Sequence, residues 1–393
     1  MDSLSVANLK QRPLRTAVSM AGVSLGVVLV VLVGGLTRGM TRDAAGRQSN
    51  VDAEIRFLPG GTISITTSNP LMLSARYAGA IVDGVKPAPD NPGVEPKPPV
   101  AGAAAATPVG QYVQTGAGAI GFEMVDGIDY ASFKDATSIK IVKGRPLGDG
   151  GDEQTAHEAI VDEFYAEKNL GLDNKPIRIG SKIKLLDQQF TVAGVYGPPM
   201  LARVKIPLKT MQELFGGADN CSFVMVKLKQ GEPVDRVIET LNEYYPGNNV
   251  IPTSEIPALY AQGLFAVDIL LDVVVGLAAV ISGLVILLAM FTTITERTRE
   301  IGILKSLGAS KRLIVAIIER EAALISALGV VLGFVLSAIG RYSIQSNTRL
   351  IVDLDPKWLL IGAAIGMLGG VIGAFYPAIR AANLDPVEAL SYE

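Results

Sequence analysis

The sequence predicts a membrane α-helical protein: four transmembrane helices, with an extracytoplasmic α+β domain containing β-α-β units inserted between helices 1 and 2. Two compositional observations support this fold class, because 49% of the 393 residues are apolar and only 19% are charged. The third observation is distribution: a helix needs about 20 apolar residues to cross the hydrocarbon core. Four uncharged stretches reach that length, namely Thr16–Thr37, Val273–Thr295, Ala322–Gly340 and Trp358–Ile379.

The composition also excludes several functional classes. The single cysteine, Cys221, excludes an intrachain disulfide, and the single histidine, His157, lies in a polar run that predicts a solvated loop. The net charge of −3 gives no reason to expect a nucleic-acid partner. The inserted domain has no Gly-x-Ser-x-Gly elbow, and the 393 residues contain no Gly-x-x-x-x-Gly-Lys-Ser/Thr loop. We therefore expect no catalytic, cofactor-binding or metal-binding residue in this chain.

Basic residues in the short connections predict the orientation in the membrane. The N-terminal segment and the connection between the second and third apolar stretches are both rich in lysine and arginine, which places both in the cytoplasm. These residues are Lys10, Arg12, Arg15, Arg297, Arg299, Lys305, Lys311 and Arg312. The first stretch has no small-residue cleavage site after it and is predicted to be an uncleaved anchor. The long segment that follows it is then extracytoplasmic.

These signals divide the chain into eight segments. Residues 1–38 are the cytoplasmic N-terminal segment with helix 1, and 39–265 are the extracytoplasmic domain. Residues 266–295 are helix 2 with an outward stalk, 296–312 a cytoplasmic segment, 313–341 helix 3, 342–357 an outer loop, 358–379 helix 4 and 380–393 a cytoplasmic tail. Four glycine pairs at helical spacing predict tight helix packing, within the chain or against a second copy: Gly22/Gly26, Gly329/Gly333, Gly362/Gly366 and Gly369/Gly373.

Strand and helix patterns alternate in the inserted domain. The strongest prediction is a β-α-β unit formed by strand Cys221–Leu228, helix Val234–Tyr244 and a strand that begins at Asn249. Residues 86–108 are rich in proline, alanine and glycine and predict a flexible excursion without a core. The remaining predictions are strands Val51–Leu58, Ile139–Val142 and Ile177–Ile179, helix Leu71–Val82, a strand and helix in Ala156–Asn169, and a hairpin over Lys182–Val195 with its turn at Asp187-Gln188.

The run ITERTREIGILKSLGASKRLI (Ile294–Ile314) predicts a short cytoplasmic helix that breaks at Gly308. Opposite charges at i,i+3 spacing support that helix, with Glu296 next to Arg299 and Arg297 next to Glu300. Ile301, Leu304 and Gly308 would share one face. From the residues alone, two interpretations stay open: this face docks on a partner protein, or the helix lies at the membrane interface.

Two motifs give the chain its resemblance to a family. ERTREIGILKSLGAS (Glu296–Ser310) and YPAIRAANLDPVEAL (Tyr376–Leu390) resemble sequences of ABC transporter permeases of the MacB–FtsX type, and Ala7–Gly26 is a weaker match. The resemblance implies that 296–312 couples to a cytoplasmic ABC ATPase dimer. The implied coupling residues are Glu296, Arg297, Arg299, Glu300, Ile301, Leu304, Lys305 and Gly308, with a candidate C-terminal support from Arg380, Asp385, Pro386 and Glu388.

Further expectations follow from the resemblance. The permease would pair with a second copy or paralogue in the inner (plasma) membrane, and the ATPase would bind ATP and Mg. A membrane-fusion adaptor and an outer-membrane exit duct are additional candidate partners. The function would be export or extraction of a small molecule, peptide or lipoprotein. The alternatives are a non-transporting mechanotransmitter that regulates a cell-wall hydrolase, and a membrane enzyme or receptor without a motor. The segment 86–108 departs from the family pattern.

Overall fold

The computed structural model describes residues 13–61, 71–86, 95–115, 122–169, 171–173, 175–263, 265–348 and 350–385. The chain divides into two compact units. The first, here called the membrane unit, contains the residues up to Met40 and those from Phe265 onwards. The second, here called the sheet domain, is Thr41–Leu264.

The elements follow in chain order. The α-helices are α1 Pro13–Ser49, α2 Arg76–Asp83, α3 Tyr130–Thr137, α4 Glu153–Ala156, α5 Glu163–Lys168, α6 Leu208–Phe215, α7 Val234–Tyr244, α8 Ile256–Gly263, α9 Phe265–Glu296, α10 Thr298–Ser306, α11 Lys311–Asn347 and α12 Pro356–Ala382. The strands are β1 Ile55–Leu58, β2 Leu73–Ser74, β3 Ala103–Thr115, β4 Phe122–Ile128, β5 Lys140–Gly144, β6 Glu158–Asp162, β7 Lys182–Leu185, β8 Gln188–Gly197, β9 Val204–Pro207, β10 Asn220–Cys221, β11 Phe223–Leu228 and β12 Asn249–Pro252.

Among the residues that the structure describes, four helices of the membrane unit are long and apolar enough to cross a bilayer. Their apolar parts are Thr16–Ser49, Asp272–Glu296, Lys311–Ser346 and Pro356–Ala382, which confirms the predicted fold class. The 37 residues of α1 correspond to about 55 Å of helix, well beyond the roughly 30 Å of a hydrocarbon core. This one helix therefore continues out of the membrane unit and supplies the first residues of the sheet domain.

Glycines set the helix spacing in the membrane unit. A Cβ atom at Gly22 would lie 2.4 Å from Val285 Cγ1, and one at Gly373 would lie 2.4 Å from the carbonyl oxygen of Gly283. At Gly329 and at Gly333 a Cβ atom would lie 2.7 Å from a valine Cβ of α1. Such contacts let backbones approach closely where lipid removes the hydrophobic drive between helices. The predicted tight packing therefore occurs within the chain.

The sheet domain is built on a ten-stranded mixed sheet in the order β12-β1-β11-β3-β4-β9-β6-β8-β5, with β7 paired to β8. Strands β11 and β12 both run antiparallel to β1. They are thus parallel to each other and joined by α7, which confirms the predicted β-α-β unit, with β1 inserted between its strands. A second, two-stranded sheet pairs β10 with β2.

The predicted excursion over 86–108 is wrong in its second half. Residues 103–108 begin β3, a central strand between β11 and β4, and Val100 and Thr107 are buried. Composition misled the prediction because a run of alanines has no apolar–polar alternation and gives no strand signal. Residues 87–94 lie outside the described residues.

Smaller corrections concern the neighbouring strands. Residues 177–179 form no strand. The hairpin turn is Leu186-Asp187, because Leu185 pairs with Gln188, and both turn residues have positive φ, 50° and 59°. Such φ values are those of a type I′ turn. His157 is exposed, as predicted.

Candidate functional site

The predicted cytoplasmic segment folds as α10 between two transmembrane helices. Its chain leaves α10 at Gly308, whose φ of +94° is readily adopted only by glycine. Ser310 then caps α11 by accepting a hydrogen bond from the Leu313 amide at 3.3 Å. The helix break and restart therefore occur where the sequence predicts them.

One face of α10 packs into the membrane unit. Thr298, Ile301 and Gly302 are buried, and Ile301 belongs to the same apolar cluster as Ile294 and Ile314. Ile301 and Gly302 follow Thr298 by three and four residues, which is the spacing of one helix face. This face of α10 is turned inward. The side chain of Ile301 is therefore covered by this chain, and its predicted place at a partner contact stays a prediction.

Arg297 is also turned towards the chain. Its guanidinium lies 3.6 Å from Glu321 Oε2 on α11 and 4.0 Å from Glu300 Oε2, and only 13% of the side chain is exposed. Of the predicted charged residues, Arg299 and Glu296 are exposed, and Glu300 has 73% of its side chain exposed. Arg297 is thus a link between α10 and α11, whereas the other three remain accessible.

The opposite face of α10 carries an exposed apolar patch. Ile303 is 44% exposed, Leu304 43% and Leu307 80%; these three residues are called the α10 patch from here on. The sequence prediction included Leu304 but gave Ile303 and Leu307 no contact role. Their i,i+4 spacing was the available signal, and the structure adds that the other face is occupied.

Lysines tie α10 and α11 to the end of α12. Lys305 Nζ donates to the carbonyl oxygen of Ala382 at 3.0 Å and to that of Leu384. Lys311 Nζ donates to Asn383 Oδ1 at 2.8 Å. A cation at the final carbonyls of a helix complements its dipole. Lys305 therefore caps α12 and is only partly exposed, and its predicted place at a partner contact stays a prediction.

The predicted C-terminal support is partly visible. The Arg380 guanidinium lies 4.9 Å from the centroid of the Phe291 ring on α9, and Asp385 is exposed. Pro386 and Glu388 lie outside the described residues. The start of the tail is thus packed on the same side of the membrane unit as α10, through the lysine contacts above.

A second candidate site, absent from the sequence predictions, holds the end of α1 in the sheet domain. Arg203 places one nitrogen 2.6 Å from Asp43 Oδ1 on α1 and another 2.6 Å from Asp162 Oδ2. Arg47 Nε lies 3.1 Å from Asp43 Oδ2, and its guanidinium also donates to the Leu201 carbonyl. These four charged residues, Asp43, Arg47, Asp162 and Arg203, are called the α1 clamp.

A buried ion pair supports the loop next to the α1 clamp. Lys205 Nζ donates to Asp126 Oδ2, to the Met200 carbonyl and to the Ala202 carbonyl, each at 3.0 Å. Both Lys205 and Asp126 are fully buried. Burial lowers the pKa of Lys205, although Asp126 acts in the opposite direction. Because every Lys205 donor is used, this pair fixes the loop that carries Leu201 and Arg203.

Comparison with known proteins identifies the two halves of the chain. A family model described as MacB-like periplasmic core domain matches residues 16–244. A second, described as FtsX-like permease C-terminal, matches residues 273–386. In the described parts of the chain, no group of three or more His, Cys, Asp or Glu side chains could hold a metal ion.

Individual relatives agree with these matches. The chain is 30% identical over 279 residues to the macrolide export ATP-binding/permease protein MacB of Campylobacter jejuni, covering 65% of this chain and 42% of that protein. It is 26% identical over 403 residues to the pyoverdine export ATP-binding/permease protein PvdT of Pseudomonas syringae, covering 96% and 57%. It is 23% identical over 406 residues to the ABC transporter permease YknZ of Bacillus subtilis, covering 99% and 98%.

The share of each related protein that this chain covers differs from one relative to the next. The chain spans about two-fifths of the length of the MacB relatives. Among solved structures, the periplasmic region of MacB from Actinobacillus actinomycetemcomitans matches 53% of this chain and 92% of its own, with a TM-score of 0.37 and 14% identity.

Proposed function

Because the chain belongs to the family of ABC transporter permeases with a MacB-like periplasmic core domain and an FtsX-like permease region, we propose that it is a coupling subunit. ATP hydrolysis by a separate cytoplasmic ABC ATPase would be converted into a conformational change of the sheet domain. The ATPase would hold ATP and Mg, and a second permease copy would complete the complex. The membrane in question would be the inner (plasma) membrane.

The α10 patch is the observation that carries this proposal. Three large apolar side chains are exposed on a nine-residue helix and its C-cap, and the charged residues Glu296, Arg299 and Glu300 of the same segment are exposed. An apolar centre with a charged rim is the usual anatomy of a protein interface. The lysine contacts to α12 and the buried face of α10 would transfer force from a docked ATPase to three transmembrane helices.

Export of a small molecule is the cargo class that the relatives favour. The names of two of them specify export of macrolides and of pyoverdine. A peptide or a lipoprotein is the second cargo class. A membrane-fusion adaptor and an outer-membrane duct would be needed if the cargo leaves a cell with two membranes.

The α1 clamp supports the same function from the sheet domain. It joins the last turns of α1 to β6 and to the loop before β9 through charge-assisted hydrogen bonds, which are stronger than neutral ones. Displacement of α1 would therefore be passed to the sheet as a whole, because Asp162 is in a strand and is itself fully buried.

The test is Leu304→Asp in the complete permease–ATPase complex in lipid. An unpaired carboxylate in a buried contact costs about 3–5 kcal/mol, so copurification of the ATPase should fall by about a hundredfold or more. ATP hydrolysis that depends on the permease should fall with it. The matched control is Ser306→Asp, which adds the same charge to an exposed position of α10 outside the patch.

Two outcomes separate the interpretations. Loss of copurification with Leu304→Asp, but not with Ser306→Asp, supports docking through the α10 patch. If Leu304→Asp leaves both copurification and hydrolysis at wild-type levels, then α10 is an anchor at the membrane interface and the proposal fails.

A further inference from the structure

The outer loop between α11 and α12 lies directly on the backbone of α1. Two glycines of α1, Gly35 and Gly39, make room for it, and Gly34 makes room for Trp358 at the start of α12. A Cβ atom at Gly39 would lie 2.0 Å from the Ile351 carbonyl oxygen, one at Gly35 would lie 2.9 Å from the Asp353 carbonyl oxygen, and one at Gly34 would lie 2.7 Å from the Trp358 ring. Two of these obstacles are backbone atoms, so a side chain at Gly35 or Gly39 requires the loop to move away.

Specific polar contacts hold the loop in this position. The Asp353 amide donates to the Gly35 carbonyl oxygen at 2.9 Å, and Arg38 lies 2.7 Å from Asp355 Oδ2. The Arg38 guanidinium also lies 5.8 Å from the Trp358 ring centroid. Asp355 in turn caps α12 by accepting from the Lys357 amide at 2.8 Å. The loop is therefore attached both to α1 and to the start of α12.

The glycines make this stretch of α1 intrinsically weak. Glycine is the poorest helix former after proline, and α1 has three glycines between residues 34 and 39. Yet the helix is continuous from Pro13 to Ser49. Four residues beyond Gly39, Asp43 begins the α1 clamp. A helix that bends at its glycines would absorb a push instead of passing it on.

We propose that residues 350–355 form a collar that braces α1 at Gly35–Gly39 and keeps it straight while it transmits motion. Arg38, Gly35, Gly39 and Asp355 are then positioning residues for coupling. The collar acts through α1 and touches neither the ATPase nor the cargo. This inference rests on the proposed function, since a collar has a role only if α1 transmits motion.

The test compares two identical substitutions on one helix. Gly39→Ala places a methyl group into the collar, whereas a Cβ atom at Gly46 meets nothing within 4 Å. Both substitutions raise helix propensity equally, so only contact with the collar differs. The readout is the distance between spin labels at Glu239→Cys, an exposed position of α7, in the two copies of the lipid-embedded complex, without nucleotide and with ATP plus vanadate. Native Cys221 is buried and stays unlabelled.

The expected result is selective uncoupling. Wild type and Gly46→Ala should show the same nucleotide-dependent change in distance. Gly39→Ala should show a change at least about twofold smaller, with ATPase copurification unaltered. A full response of Gly39→Ala would overturn the collar alone. A wild-type complex that shows no change would overturn the proposed function, and the collar with it.

A second set of variants keeps the test valid if Gly39→Ala fails to fold. Arg38→Met removes the ion pair to Asp355 and should also reduce the response, whereas Arg38→Lys keeps the charge and should restore most of it. If the contact were purely structural, Arg38→Met would lower thermal stability, but Arg38→Met and Arg38→Lys would show the same nucleotide-dependent change in distance. Equal responses of Arg38→Met, Arg38→Lys and wild type would contradict the collar.

Discussion

The membrane unit and the sheet domain achieve close packing with opposite kinds of residue. In the membrane unit, α9 and α12 lie so close together that a Cβ atom at Gly373 would be 2.4 Å from the Gly283 carbonyl oxygen. In the sheet domain, the most buried large side chains include Arg56 and Lys205, and Lys205 forms an ion pair with Asp126. Packing in the membrane unit depends on glycines, which have no side chain. Packing in the sheet domain depends on buried charges that are paired with opposite charges.

The difference follows from the solvent of each unit. Lipid is as apolar as leucine, so helices gain by bringing backbones together. The sheet domain is stabilised by burying apolar surface from water, and it then needs a partner for every charge that it buries. The two units should accordingly fail in different ways: the membrane unit when atoms are added, and the sheet domain when a charge is removed.

The largest expected effect is in the sheet domain. Lys205→Met would leave the Asp126 carboxylate buried without its cation, and breaking a buried pair in this way costs about 3–5 kcal/mol. Thermal unfolding of the full-length protein in detergent should show it as a drop of about 10 °C in the transition of this domain. The double variant Lys205→Met/Asp126→Leu should recover part of the loss, because it leaves no unpaired charge. Wild-type stability of the single variant would contradict the role assigned to the pair.

A smaller effect is expected when a methyl group is added in the membrane unit. Gly373→Ala forces α12 away from a backbone oxygen of α9, and overpacking costs about 1–3 kcal/mol. Gly276→Ala on α9 is the control, since a Cβ there meets nothing within 4 Å. The two variants should separate in detergent melting curves, with Gly276→Ala no less stable than wild type. Equal stability would mean that helix spacing is not set by glycine.

The comparison also explains which features were predictable from sequence. The four spans, helix α7 and the break at Gly308 depend on local patterns, and all were predicted. The Lys205–Asp126 pair joins residues 79 apart in sequence, and Arg203 joins Asp43 from 160 residues away. No local sequence pattern identifies such pairs. In the sequence their charged residues cannot be told apart from those of a solvent-exposed face, because only the folded sheet brings the partners together.

At α10 the periodicity identified a helix, but it did not show which of its faces this chain covers. Ile301 and Ile303 are equally apolar, and spacing alone does not decide which of them turns inward. The contacts of α10 with α9, α11 and α12 decide it, by burying Ile301 and leaving Ile303 exposed. The contacts of Lys305 were likewise not predictable, because its acceptors are the carbonyl oxygens of Ala382 and Leu384, 77 and 79 residues later in the chain.

The smallest expected effect concerns Asp52, an exposed charge of the sheet domain that can be compared with the buried pair of Lys205 and Asp126. Asp52 accepts hydrogen bonds from Ser138 Oγ at 2.7 Å, and its carboxylate lies 2.9 Å from Lys227 Nζ. The Lys227 contact, and then that of Ser138, lower the pKa of Asp52 below its ordinary value of 3.8. Because the folded pKa is depressed, the carboxylate stabilises the fold above pH 3.8 and loses that contribution as the pH falls through the lower folded value.

Asp52→Asn tests this contribution, because asparagine keeps an acceptor for Ser138 and removes only the charge. More than half of the Asp52 side chain is exposed, so solvent screening limits the loss at neutral pH to less than about 1 kcal/mol. The gap between wild type and Asp52→Asn in thermal unfolding should therefore be small near neutrality and should close as the pH falls below about 4. A gap that stays constant across this range would show that the charge is not its source. A gap as large as that of Lys205→Met would show that exposure does not separate the two pairs.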